Sequence, residues 1–171
     1  MTTESGQKMQ SAIQAVCRMQ SEVGKLLVGF DKLVPWPYES VFGNYTTREL
    51  SYSVHAKFWM PEGVYRYLRC KTDHRLVEGV CAAFIHSSLE EPILIAGHLE
   101  YQTEATSAKK AVDEWDLWYL YFKWNDGWKA GEPRSCALPD DGRIKSANVV
   151  VHPLYAITSM EDVRQMLLKV R

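Results

Sequence analysis

A chain of 171 residues with 46 % hydrophobic and 24 % charged side chains is long enough to bury one full core and too apolar to stay disordered. Its 20 basic and 21 acidic residues leave a net charge of −1, which argues against a protein built to coat nucleic acid. No run reaches the ~18 apolar residues of a membrane span, so the sequence reads as a single cytoplasmic domain over 1–171.

Residues 1–4 are expected to be disordered. From 5 to 34 the pattern is helical: Met9, Ile13, Val16, Val23, Leu27, Phe30 and Val34 recur at three- and four-residue steps, widened by Cys17, Leu26 and Leu33. Pro35 and Pro37 in "VPWPY" stop this helix, because they lack amide donors and restrict the residues before them. At ~1.5 Å per residue it is roughly 40–45 Å long, so it either crosses the whole domain or projects far enough to meet a second copy.

Gly43 and Asn44 mark a turn, and a sheet is expected over 50–152. In "LSYSVHAKFW" apolar and polar residues alternate, the signature of a half-buried strand, with His55 on its polar side. "MPEGVYRYLRCK" reads as a second strand on the strength of Tyr65 and Tyr67. "VEGVCAAFIHS" and "PILIAGHLEYQ" flank "SLEE" as a hairpin with a loop of four to six residues. "DEWDLWYLYFKWNDGWK" follows as a further strand, with Trp118, Leu120, Phe122 and Trp124 toward the core and Leu117, Tyr119, Tyr121 and Lys123 on the other face. "ANVVVHPL" adds a short strand. The chain closes on a helix over 159–170, where Thr158 and Glu161, or Ser159 and Asp162, fit a capping box. The order predicts an α+β fold: an antiparallel sheet of five or six strands with a long N-terminal and a short C-terminal helix packed on one face.

Motifs for chemistry are scarce. The histidines make no H-x-x-x-H, nucleophile elbows and phosphate loops are absent, and the cysteines form no C-x-x-C pair. No metal or cofactor is therefore expected. The carboxylates of "DEWD" and "PDDGR" read as solvated turn residues. His98 and Glu100 share a strand face, which would orient an imidazole, or reflects alternation alone. Arg66, Arg69, Lys71 and Arg75 lie among tyrosines, either as an anion platform or as charges that block pairing at an edge strand.

Polar aromatics and a basic patch without catalytic signatures point to a non-enzymatic binding module, a homodimer, that engages a protein partner or small anionic ligand over an aromatic and basic sheet face. The binding residues are expected to be Tyr119, Tyr121 and Lys123, then His55, Arg66 and Arg69. The alternatives are a hydrolase-type enzyme with a site assembled from distant residues such as His98 and Glu100, and a single-stranded nucleic-acid binder using residues 65–75.

Overall fold

A computed structural model describes residues 4–45, 62–102, 112–123, 128–138 and 142–171. The expected strand at 50–59, and His55 with it, lies outside them. Helix α1 runs Glu4–Leu33, so Glu4 is helical rather than disordered. The strands are β1 Tyr38–Ser40, β2 Gly63–Cys70, β3 Leu76–Ala83, β4 Ile93–Tyr101, β5 Arg134–Ala137 and β6 Ile144–Pro153. Helix α2 spans Asp116–Lys123 and α3 Met160–Val170.

The six described strands form one antiparallel sheet in the order β1-β2-β3-β4-β6-β5, which makes the fold α+β as expected. α1 and α3 share one face. Val23, Leu27 and Phe30 of α1, Val34 just after it, and Val163, Met166, Leu167 and Val170 of α3 bury against Leu68, Val80, Leu94, Ala96 and Val150. Along each strand the alternate residues, among them Tyr65, Tyr67, Cys81, Ile95 and Val149, form a second core beneath α2.

Three expectations need correction. Trp124 lies outside the described residues, and the described part of the aromatic segment is not a strand: residues Asp116–Lys123 form α2, on the face opposite the two longer helices. Its start carries a helix signal: the Asp113 carboxylate accepts from the Trp115 amide at 2.9 Å, and the Asp116 carboxylate accepts from the Asp113 amide at 2.8 Å. The hairpin connection between β3 and β4 is also longer than four to six residues, running from 84 to 92. Finally, β2 is not an edge strand along its whole length, since β1 pairs with Leu68, Arg69 and Cys70.

Two glycines let α2 approach the sheet. Gly79 and Gly97 are direct cross-strand partners on β3 and β4. A Cβ on Gly97 would stand 2.5 Å from Leu117 Cδ2, and one on Gly79 would stand 2.6 Å from the Tyr67 ring and 3.0 Å from Leu117. The pair forms a trench in the centre of the sheet, filled by the fully buried Leu117 and the edge of Tyr67.

Candidate functional site

The residues expected to bind are not gathered on one surface. Tyr119 (58 % exposed) and Lys123 sit four residues apart on the outer side of α2, as helical spacing dictates. Tyr121 turns away and packs its ring on Phe122 at 4.8 Å and Trp128 at 5.6 Å. Leu117, expected beside Tyr119, is buried along with Trp118 and Leu120.

The basic residues are paired to acids. Arg66 is 8 % exposed and lies on the α1 side of β2, where Nε and Nη2 donate to the two oxygens of Asp31 at 2.8 and 2.5 Å. Its Nη1 donates to the Gly43 carbonyl, in a turn that Gly43 makes at φ +61°. Arg69 meets its cross-strand neighbour Glu39 at 2.8 Å, Lys71 approaches the same carboxylate at 3.8 Å, and Arg75 closes on Asp73 at 2.8 Å. The Arg69 bond holds the Glu39 carboxyl below its usual range. Tyr65 and Tyr67 are core residues, so their faces are not open to a base or an anion.

"DEWD" is likewise more than a solvated turn. Asp116 is 1 % exposed; Arg143 donates to it at 2.7 Å and the Tyr101 hydroxyl at 2.6 Å. Burial raises its carboxyl above the usual range in spite of those donors. These contacts pin the start of α2 to β4 and to the entrance of β6.

His98 and Glu100 do share a face, but each has another partner. Glu100 accepts from Lys145 at 2.8 Å and Ser146 at 3.1 Å, while His98 Nδ1 lies 3.1 Å from Oε1 of Glu78 across the strand pair. Glu78 is 1 % exposed and also accepts from Nε of Arg171 at 3.0 Å. Burial first, and then the Glu78 carboxylate, push the Tyr38 phenol up to about 12. Glu78, His98 and Arg171 thus tie β3, β4 and the end of α3 together. Among the described residues no three His, Cys, Asp or Glu side chains converge as a metal site.

Among the described residues, α1 carries a long apolar seam without a counterpart in the fold. Only its C-terminal half is seated, through Val23, Leu27 and Phe30. Residues 4–15 are all exposed, with Met9 at 67 % and Ile13 at 57 %, while Val16 and Met19 are half-buried. Where the overhang meets the body, a groove of about 480 Å³ opens between α1 and the Leu154–Met160 segment. Met19, Val23 and Leu26 line one wall; Leu154, Ile157 and Met160 line the other. Glu22 and Lys25, paired to each other at 2.6 Å, stand among its lining residues. The periodic seam of α1 was readable in the sequence. The groove was not, because its second wall comes from a 3-10 turn at Leu154–Ala156 and the residues that follow it.

Compared with known protein families, curated proteins and solved structures, the chain finds no match. The fold and the exposed helix are therefore what any functional reading has to build on.

Proposed function

We propose that the chain is a non-enzymatic binding module whose binding element is the overhanging half of α1 with the groove beside it, and whose ligand is a helix of a protein. The observation that carries this reading is an exposed helix segment of about three turns, 4–15, not packed against any other described element, that continues the apolar seam of a seated helix. An isolated helix shorter than ~12–15 residues is marginal in water, and most helical stability comes from covering an apolar face. A partner helix supplies that cover, in the helix-in-groove manner of many recognition modules.

The charge balance of the whole chain favours a protein partner over nucleic acid. Among the described residues no helix is long and apolar enough to cross a membrane. Cys17, exposed on α1 as a free thiol, suits the reducing cytoplasm. The aromatic surface of α2 is secondary in this reading: Tyr119 and Lys123 offer one ring and one charge, with Tyr121 held in the packing.

The test is a photo-cross-linking residue placed at Ile13 in the cells that make the protein. Discrete adducts that disappear when the same group is moved to Tyr119, a residue 58 % exposed on α2 at the opposite face of the sheet, are expected. No adduct from position 13 ends this reading.

A further inference from the structure

The apolar residues of α1 fall into a heptad. Met9, Val16, Val23 and Phe30 occupy one position; Ala12, Met19, Leu26 and Leu33 occupy the other, with strictly alternating steps of four and three residues. Val23 and Phe30 are spent on the sheet, whereas Met9, Ala12, Val16 and Met19 retain exposure. We infer that the partner is a second copy of this chain, its overhang packed antiparallel on this one, so that the tip of each α1 enters the other copy's groove. This rests on the reading of α1 as the binding element and commits it to one occupant.

Three observations select that arrangement. Set antiparallel with Met9 facing the partner's Met19, the seam also places Ala12 against the partner's Val16, and the twofold repeats both contacts. Every apolar layer of the overhang then has an apolar counterpart, with Ile13 against the partner's Ile13 near the axis. The flanking charges agree as well, because this register brings Lys8 beside the partner's Glu22 at both ends, and opposite charges at such flanks favour pairing. Moreover, Met19 and Val23 line the groove, so the first turns of the incoming helix lie along its mouth. A parallel pair would instead crowd both folded bodies at one end and leave the two grooves empty.

The arrangement is isologous and closes at two subunits. Sheet edges are a poorer route to a dimer, since among the described strands the two at the ends of the sheet order have only three and four residues.

Sedimentation equilibrium of the full chain tests the stoichiometry. The expected mass is twice 19.6 kDa at the higher loading concentrations, returning to 19.6 kDa in Ile13→Glu with an unchanged near-ultraviolet spectrum. Cysteine pairing then tests the direction, measured against a Cys17→Ser parent. Ala12→Cys together with Val16→Cys is expected to give a covalent dimer on oxidation and Ala12→Cys alone to give none, because a disulfide needs its Cα atoms within about 7 Å. Cross-linking by Ala12→Cys alone would mean a parallel pair and overturn the register. A wild type that stays at 19.6 kDa throughout overturns the second copy. If position 13 still cross-links to a different protein in that case, the binding reading survives; if it cross-links to nothing, both fall.

Discussion

Arg66 shows how residue identity and residue role separate. A basic side chain between tyrosines suggests a fork for an anion, yet its guanidinium is consumed by Asp31 and the Gly43 carbonyl. Such a pair is asymmetric to mutation: removing one partner strands a charge, whereas removing the buried charge itself removes the need for the other. Asp31→Ala is therefore expected to destabilise the fold by about 2 kcal/mol, below the ~3–5 kcal/mol of a fully buried pair because the Asp31 side chain is 38 % exposed. Arg66→Met should cost less. Urea unfolding of both variants checks the order, and a larger loss from Arg66→Met would show that the guanidinium does more than answer Asp31.

At the scale of elements, α3 is held by its first turn. Asp162 accepts from the amides of Thr158 and Ser159 at 2.9 and 2.8 Å, and the Ser159 hydroxyl accepts in return from the Asp162 amide. The Thr158 amide first, then Ser159, lower the Asp162 carboxyl below its usual 3.8. A carboxyl whose pKa is depressed by folding contributes stability that is complete above its unfolded value and is lost as pH falls through the folded one. Asp162→Asn keeps an acceptor but loses the charge. The gap in urea midpoint between wild type and this variant should therefore be widest near neutral pH and close in acid; a gap constant with pH would contradict the assignment.

That cap was legible in the sequence because its residues are adjacent and their spacing is diagnostic. The long helix, the β3–β4 hairpin and the antiparallel class were legible for the same reason, each resting on local periodicity. α2 was misread because rings occur on all its sides. With Trp118, Tyr119, Tyr121 and Phe122 in one run, period two fits as well as period 3.6, and eight residues are too few to arbitrate. The strands β1 and β5, of three and four residues, are too short to carry a period at all. Of the proposed site, the seam of α1 was visible, whereas the burial of Tyr67 and Asp116 depends on partners distant in the chain: Tyr101 and Arg143 lie 15 and 27 residues from Asp116, and the Leu117 amide lies 50 residues from Tyr67.

The whole molecule is a sheet covered unequally. One face carries two long-range helices and the other a helix of eight residues, yet that short helix covers the centre. The trench at Gly79 and Gly97 has a consequence for the order in which the molecule can be assembled. Two adjacent glycines give the middle of β3 and β4 the weakest local preference for extended structure in the sheet, and nothing in those strands fills the gap above them. Tyr67 of β2 fills part of it, but Leu117, which fills the rest, arrives later in the chain, as does β6, which supplies the missing neighbour of β4. The centre of the sheet and α2 should therefore form and open as one unit rather than in sequence. Native-state amide exchange at Gly97 and Leu117 is expected to report a single opening free energy; if Leu117 exchanges through a much cheaper opening, the sheet stands without its helix. On this view the last third of the chain is the keystone of strands made long before it, and a nascent chain that stops short of α2 holds α1 and four strands with neither core complete.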